Sequence, residues 1–300
     1  MSPRAKGALL WVAAVVLMLS AAVYQRLTGP TNPVRGELVV DGEAARYRLL
    51  RSEESVRDAR IAVPASAADA SGRVFWRRYP TDDAFQVLPM SVETGDGGRR
   101  ELVAYLPAQP ASGKLEYRVE VDAPQGLVRI PRAGTVPADE TIVMRFKDPV
   151  PLGVLLAHVA CMFFAVLVGM RAGLGALLWP AKVRRDSWIA LVLMSVGGMI
   201  LGPIVQKYAF GAYWTGFPWG YDLTDNKTLI MWVVWIAAAG TLGWKARDAA
   251  PGWRARLTVL AAAVVMTGVY LIPHSLRGSQ LDYDAVDAGL SAEEAVRTGR

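Results

Sequence analysis

Five long apolar runs constrain this chain more than any other feature of its sequence. Each has 17 to 20 residues, and they cover Gly7 to Tyr24, Leu152 to Met170, Ser187 to Gln206, Thr228 to Trp244 and Leu257 to Leu276. A bilayer core of about 30 Å needs about 20 helical residues at about 1.5 Å each. With 53% hydrophobic and only 20% charged residues, the chain is too apolar for an ordinary soluble protein. The pattern predicts five membrane-spanning helices, namely an N-terminal anchor and a four-helix transmembrane bundle over residues 151–276 with an aromatic outer loop over residues 208–227.

Basic residues flank these runs unevenly, which predicts the orientation. They precede the first span and fill the connectors between spans two and three and between spans four and five, at Arg4, Lys6, Arg171, Lys182, Arg184, Arg185, Lys245, Arg247, Arg254 and Arg256. Positive loops remain in the cytoplasm, so the N-terminus is predicted inside and the C-terminus outside, in a cytoplasmic (inner) membrane. The net charge of +6 therefore reflects membrane topology, and no nucleic-acid partner is predicted.

The first run has two readings. A charged start followed by an apolar run and Ser20-Ala21-Ala22 also fits a cleaved signal peptide. The run is longer than a usual signal core, which favours an uncleaved anchor over residues 1–26. Whether the run is an anchor or a signal peptide, the segment that follows it is predicted to be exported.

That segment, residues 35–148, is charged, alternating and divided by proline and glycine. Eight short strands are predicted, over residues 37–40, 45–49, 59–63, 73–76, 85–88, 101–105, 115–121 and 141–146. Such spacing predicts an extracytoplasmic antiparallel β-sandwich, immunoglobulin-like or fibronectin-like, and an α+β membrane protein overall. The segment has no histidine or cysteine, so it is expected to bind or position another membrane or exported protein. Residues 277–300 are predicted to be an extracytoplasmic tail.

The chain has two histidines and one cysteine, and all three fall in or near the predicted spans. His158 lies about six residues into span two from the outer side, and His274 lies where span five emerges on that side. A neutral imidazole can ligate a metal, and two imidazoles from facing helices can hold haem iron. The alternative is that His158 packs between helices with a backbone hydrogen bond and His274 is an interfacial polar residue. Cys161 and Met162, one turn from His158, are interpreted as packing residues.

The connector between spans three and four is unusually aromatic. Within residues 208–221 it has seven aromatic residues, together with Gly211, Gly216, Pro218 and Gly220. An interfacial aromatic belt explains part of this density. The remainder predicts an apolar shelf at the outer surface, with Asp222 and Asp225 at its edge, on which a flat macrocycle could lie.

The run Gly211-Ala-Tyr-Trp214, with Trp219, Asp222 and the downstream run Leu229-Ile-Met-Trp232, resembles the tryptophan-rich extracytoplasmic motif of the haem-handling cytochrome c assembly proteins. That family flanks its motif with two outward-side histidines, and His158 and His274 stand in matching order. The resemblance covers residues 152–276. Phe210 replaces the family's usual tryptophan, the spacing from Thr215 to Trp219 is longer than Trp-x-Trp, and Leu223-Thr224-Asp225 replaces Pro-Lys-Glu.

The resemblance implies haem as a cofactor, with His158 and His274 as axial ligands. It also implies that the aromatic side chains pack against the porphyrin and that three charged residues orient its edge or receive its propionates; these residues are Tyr213, Trp214, Phe217, Trp219, Asp222, Asp225 and Lys227.

Two other functions stay open. One is a non-catalytic accessory or assembly subunit whose β-sandwich docks an exported partner while the aromatic loop serves as an interface anchor. The other is a transporter in which Gly197-Gly198 and Gly202-Pro203 break span three. The ordinary explanation for these glycines is close packing between helices. No nucleophile with its base and no carboxylate pair indicates an enzyme.

Overall fold

A computed structural model of the chain describes residues 2–40, 42–65, 68–95, 98–123, 126–131, 141–244, 250–274 and 278–297. These residues belong to two compact units. The helical unit comprises Met1–Pro30 and Val150–Gly278, and the β unit comprises Thr31–Pro149 and Ser279–Arg297. The chain is therefore α+β, as predicted.

Over its described residues, the helical unit is built from six α-helices, a 3-10 turn and a π-helix. In chain order they are α1 (Pro3–Thr28), α2 (Leu152–Leu178), the 3-10 turn (Pro180–Lys182), α3 (Val183–Met194), the π-helix (Ser195–Leu201), α4 (Gly202–Phe210), α5 (Leu223–Leu242) and α6 (Trp253–Leu271). The Ser2 side chain caps α1 by accepting a hydrogen bond from the Ala5 amide, which satisfies one of the donors left open at a helix start.

Four helices among the described residues are long and apolar enough to cross a membrane: Pro3–Thr28, Leu152–Leu178, Pro180–Phe210 and Trp253–Leu271. They correspond to four of the five predicted spans. The fifth, α5, is helical as predicted, but its first turn contains Asp225, Asn226 and Lys227, which lower its mean hydropathy. Lys245 and Arg247, used above to predict orientation, lie outside the described residues.

Small residues bring the helices of this unit close together. A Cβ on Gly173 of α2 would lie 2.5 Å from the Ala263 Cβ of α6. A Cβ on Gly197 would lie 2.7 Å from the Cys161 Cβ of α2, and one on Gly198 would lie 2.7 Å from the Thr228 Cγ2 of α5. Gly197 and Gly198 therefore let the π-helix pack against two neighbours at once, as close helix packing in membranes requires.

The glycine and proline residues of span three do not break it. Residues 183–210 continue through the π-helix, in which the Gly202 amide donates to the Gly197 carbonyl. Pro203 has no amide hydrogen to donate to the preceding turn, and the wider turn just before it absorbs this loss. The helix is continuous where a transporter of the discontinuous-helix type would be interrupted.

A buried ion pair joins α2 to α3. Arg171 Nη1 lies 3.4 Å from Asp186 Oδ2, and both side chains are 1% exposed. Asp186 Oδ1 also accepts from the half-exposed Arg185, at 2.7 Å from Nη2. A Cβ on Gly175 would lie 2.8 Å from Arg171 Nη1, so glycine leaves the space that the guanidinium occupies.

The β unit contains all eight predicted strands and several that were not predicted. Its strands are β1 (Val34–Val40), β2 (Glu43–Leu49), β3 (Ser52–Glu54), β4 (Ala59–Pro64), β5 (Gly72–Arg78), β6 (Gln86–Pro89), β7 (Ser91–Thr94), β8 (Arg100–Leu106), β9 (Lys114–Ala123), β10 (Gly126–Ile130), β11 (Ile142–Lys147), β12 (Gln280–Leu281) and β13 (Val296–Arg297). The largest sheet has the order β3-β11-β9-β5-β6, with β10 also on β9, and a three-stranded sheet has the order β4-β8-β7.

The described strand pairs are antiparallel except for β11 with β3, which is parallel. Side chains from both larger sheets share one hydrophobic core, which includes Ile61, Leu102, Tyr117 and Phe146. Alternation along β4 and β11 places every second residue in this core, as expected for strands that are half buried.

The predicted tail instead folds onto the β unit over the described residues 279–297. Helix α7 (Tyr283–Asp287) follows β12, and the Tyr283 hydroxyl accepts from the Lys114 amide at 3.0 Å. Arg78 of β5 holds Asp287 through two hydrogen bonds of 2.8 Å. Lys114 Nζ donates to Gln280 Oε1 at 2.9 Å. The C-terminal segment is thus an integral part of the β unit.

These contacts bury titratable groups. Burial, aided by the nearby charge of Arg145, lowers the pKa of Lys114 to about 8. Burial raises the pKa of Tyr283 to about 12. Both pKa values shift because a buried site with little water disfavours the charged form of the side chain.

Candidate functional site

His158 lies in α2 and is half buried against the π-helix. Its Nδ1 is 2.9 Å from the carbonyl oxygen of Gly197. Since a carbonyl oxygen only accepts, Nδ1 carries the proton and Nε2 holds the lone pair. This bond suits the packing role considered for His158, and it also fixes the tautomer and ring orientation that a metal ligand needs.

His274 follows the end of α6 and is exposed. It lies two residues after Ile272, the residue that caps the end of α6. The Ile272 carbonyl accepts a hydrogen bond from Lys227 of α5, so the structure brings a lysine to the turn that carries His274.

Lys227 lies in the first turn of α5 and is only 2% exposed. Its Nζ donates to the carbonyl oxygen of Ile272, the residue that caps the end of α6. This bond attaches the start of α5 to the turn that carries His274.

The aromatic loop, residues 208–222, presents its large side chains outward. Trp219 is 79% exposed, and Tyr221, Phe217 and Tyr213 are also largely exposed. Trp214 is half buried, and its Nε1 donates to the Phe217 carbonyl at 3.1 Å. Four large aromatic side chains of this loop are therefore exposed, and the shelf predicted from them stays a prediction.

A buried carboxylate holds this loop on α5. Asp225 is 7% exposed, and its Oδ2 accepts from the Thr215 amide at 2.6 Å and from the Thr215 hydroxyl at 3.1 Å. Gln206 of α4 donates to the same hydroxyl at 2.6 Å. The loop is fixed to helices on both sides by charged and polar groups that are largely removed from water.

The next residue of α5 adds a second attachment. Asn226 Oδ1 accepts from the Phe217 amide at 2.7 Å. Gly216 packs beneath this contact, since a Cβ there would lie 2.6 Å from the Asp225 Cβ. Three consecutive residues, Asp225, Asn226 and Lys227, thus hold the loop and the end of α6 from one helical turn.

Asp222 caps the start of α5. Its Oδ1 accepts from the amides of Thr224 at 2.8 Å and Asp225 at 3.3 Å. Asp222 and Asp225 were predicted to face a ligand edge. Both side chains are buried. Asp222 caps α5 and Asp225 holds Thr215 of the loop, so these carboxylates accept hydrogen bonds from the chain itself.

Cys161 and Met162 pack within the helical unit, as expected. Gly197 faces the Cys161 Cβ, and the Met162 sulfur lies against Gly198. Within the described part of the chain, no group of three or more histidine, cysteine, aspartate or glutamate side chains is placed to hold a bare metal ion. A porphyrin supplies four nitrogen ligands of its own, so a haem iron needs only two side chains here.

Sequence reasoning missed the contact by which Asp225 holds Thr215 of the loop. It also missed Asp222 as the cap of α5, although an aspartate just before a helical run is a usual capping signal. The contact of Lys227 with Ile272 joins residues 45 apart, and no local sequence pattern predicts it.

In comparisons with known protein families, curated proteins and solved structures, no match to this chain was found.

Proposed function

We propose that the protein is an integral membrane haem-binding or haem-handling protein whose site lies at the outer face, between His158, His274 and the aromatic loop. The observation that carries this proposal is the His158 hydrogen bond to Gly197, which leaves the Nε2 lone pair as the ligating atom. A role in cytochrome assembly or in a membrane redox complex follows from the resemblance given above.

The residues present fit such a group. Two imidazoles, one in α2 and one just after α6, belong to the same helical unit, and exposed rings at Tyr213, Phe217 and Trp219 offer apolar surface in that unit. When bound, haem would supply an iron centre able to exchange an electron. The chain would hold the iron through His158 and His274, and the aromatic side chains would cover the ring and exclude water.

The C-terminal segment supports a fourth membrane crossing between Pro149 and Ser279. Residues 279–297 pack in the β unit with residues 31–149, so both segments occupy the same side of the membrane. Between Pro149 and Ser279 the chain must then cross an even number of times. The helices α2, Pro180–Phe210 and α6 give three crossings, and α5 is the required fourth.

We infer that the β unit is the exported sandwich and positions a partner protein. Its two larger sheets share one core, and within its described residues no histidine or cysteine is present. A module of this kind binds rather than catalyses. With the β unit outside, the single crossing by α1 puts the N-terminus inside.

The test is an absorption spectrum, oxidised and dithionite-reduced, of the detergent-purified full chain expressed with adequate haem supply. We expect a Soret band that shifts on reduction, and its loss or alteration in both His158→Ala and His274→Ala. Trp219→Ala should weaken haem retention, while Trp253→Ala, which removes another exposed tryptophan (66% against 79%) at the start of α6, should not. A haem-free spectrum from folded wild-type protein would overturn the proposal.

A second candidate is an accessory subunit that uses the aromatic loop to anchor a partner. The observation that favours it is the exposure of Trp219 and Tyr221, at 79% and 73%, on a loop that Asp225 and Asn226 hold in place. Aromatic side chains on ordered surfaces are typical of interfaces. If the wild-type protein carries no haem, loss of a co-purifying partner in Trp219→Ala with its retention in Trp253→Ala would support this function instead.

A further inference from the structure

We propose that the basic end of the helical unit binds the headgroup of an anionic phospholipid. This inference goes beyond the proposed function, because it concerns the end of α2 that is remote from His158 and needs no haem. In the sequence, basic residues stand in three separate segments, before the first span, between spans two and three and before span five. The structure brings these segments together.

The starts of α1 and α3 lie against the same end of α2. A Cβ on Gly7, near the start of α1, would lie 3.2 Å from the ring of Trp179, the residue that caps the end of α2. A Cβ on Gly175, in the last turn of α2, would lie 3.2 Å from the side chain of Val183 at the start of α3. Two of the three basic segments therefore meet here.

The start of α6 joins them through Arg256. Its guanidinium donates to the Ala176 carbonyl at 2.6 Å and to the Leu177 carbonyl at 3.1 Å. The C-terminal end of a helix carries a partial negative charge, so the charge of Arg256 is used within the chain.

Six further basic residues of these segments form what we call the basic patch: Arg4, Lys6, Lys182, Arg184, Arg185 and Arg254. Arg184 is half buried, and the other five are exposed. The starts of α1, α3 and α6 carry a partial positive charge of their own, which adds to that of the patch.

Acids do not offset this charge at the surface. Over its described residues the helical unit has three acids, each at most 7% exposed: Asp186, Asp222 and Asp225. Only Asp186 belongs to this end, and Arg171 and Arg185 already hold it. The connector at residues 245–249, outside the described residues, has two basic residues and one acid, so the sign of this end stays positive.

Exposed apolar side chains border the basic patch. They are more than half exposed, and they are Leu9 of α1, Leu177 and Leu178 of α2, and Leu257 of α6. A ligand that matches both features has an anionic group joined to apolar chains, which describes an anionic phospholipid. Basic clusters at the ends of membrane helices attract such headgroups. Free phosphate has no apolar part to cover these leucines, and an acidic protein segment would match only the charge.

The experiment compares pyrene-labelled phosphatidylglycerol with pyrene-labelled phosphatidylcholine of the same acyl chains. Both have a phosphate, but only the first has a net negative charge. Each lipid is titrated into the full chain in one uncharged detergent, and energy transfer from tryptophan to pyrene measures binding. The chain is used as wild type, as Arg4→Gln/Lys182→Gln and as Arg26→Gln/Lys207→Gln. The last is the matched control, because it removes two exposed cations from the other end of the unit, with Arg26 about 33 Å along α1 from Arg4.

We expect wild type to prefer phosphatidylglycerol by about fivefold to thirtyfold, the equivalent of one or two basic residues at the headgroup. Arg4→Gln/Lys182→Gln should lose most of this preference, and Arg26→Gln/Lys207→Gln should keep it. Equal affinity of wild type for the two lipids would overturn the inference, even if a variant does not fold.

A preference that both double variants keep would also overturn it, because the binding would then lie elsewhere. Inorganic phosphate or polyglutamate that displaces phosphatidylglycerol at the same concentration of anionic groups would overturn the assignment to a lipid. These outcomes are separate from the proposed function, since a haem-free absorption spectrum would leave the lipid preference unchanged.

Discussion

Removal of the buried acid Asp186 should strongly destabilise the helical unit. Arg171 and Asp186 are each 1% exposed and lie 3.4 Å apart between α2 and α3. In Asp186→Leu the guanidinium of Arg171 loses its ion-pair partner and cannot reach water. Breaking a buried pair in this way costs about 3 to 5 kcal/mol.

The double variant Arg171→Met/Asp186→Leu should recover most of this loss. It removes both charges and replaces them with apolar side chains, a change that is often neutral. A coupling of about 3 kcal/mol or more between the two sites follows. The control Arg185→Gln alters the half-exposed partner of the same carboxylate and should cost about 0 to 1 kcal/mol.

Thermal unfolding of the purified protein in one detergent, followed by a scattering-independent fluorescence signal, measures these effects. At about 2 to 4 °C per kcal/mol for a unit of this size, Asp186→Leu should lower the apparent Tm by about 6 to 20 °C. The double variant should lie within a few degrees of wild type. If the double variant is as unstable as the sum of the two single variants, the pair does not act as a unit and the reasoning is refuted.

Three further outcomes are expected. Gly216→Ala should speed amide exchange in the aromatic loop because its Cβ would lie 2.6 Å from a neighbouring Cβ, while Gly153→Ala, which meets nothing within 4 Å, should not. Tyr283→Phe leaves buried main-chain groups of Lys114 unpaired and should cost about 1 to 3 kcal/mol of local protection in amide exchange, with the exposed Tyr105→Phe as a silent control. The pKa of Lys114 is about 8 in the folded chain against an ordinary 10.5, so unfolding of the β unit takes up protons between these pH values. The free energy of unfolding should therefore rise from pH 8 to pH 10 by up to about 3 kcal/mol. A flat stability profile over this range would contradict the burial of this ammonium. Above pH 10 the raised pKa of Tyr283 opposes the gain.

The strands that sequence predicts are those whose alternation is strong. Each of the eight predicted segments contains or overlaps an observed strand, since half-buried strands alternate apolar and polar residues. The short strands Ser52–Glu54 and Ser91–Thr94 were missed. Three or four residues at a sheet edge have too few core-facing side chains to show a period.

The C-terminal segment shows where local reasoning ends. Its composition is charged and small, which indicated a tail, yet Leu281, Tyr283 and Ala295 form a small buried cluster. The Tyr283 hydroxyl satisfies the main chain of Lys114, 169 residues earlier. Its stability comes from a long-range contact, and a single sequence does not encode such a contact as a local pattern.

At the candidate site, residue type was a better guide than residue role. The aromatic side chains of the connector are largely exposed, and the outer apolar shelf predicted from their density stays a prediction. Asp222 and Asp225 were interpreted through their charge as ligand contacts, while the structure uses them as a helix cap and a loop brace. The Asp225 carboxylate accepts from an amide that the turn at Thr215 brings within reach, whereas the Asp222 carboxylate accepts from the first amides of its own helix.

The two cations most deeply buried in the described helical unit are treated differently. Arg171 has an acid from the next helix as its partner, whereas Lys227, equally removed from solvent, has a backbone carbonyl. The first arrangement is an ion pair between two helices and is expected to serve the stability of the helical unit. The second attaches the start of α5 to the turn after α6, two residues before His274. A buried charge is costly unless a partner offsets it. Both cations are therefore held by contacts between helices, and neither contact forms a local pattern that the sequence alone could reveal.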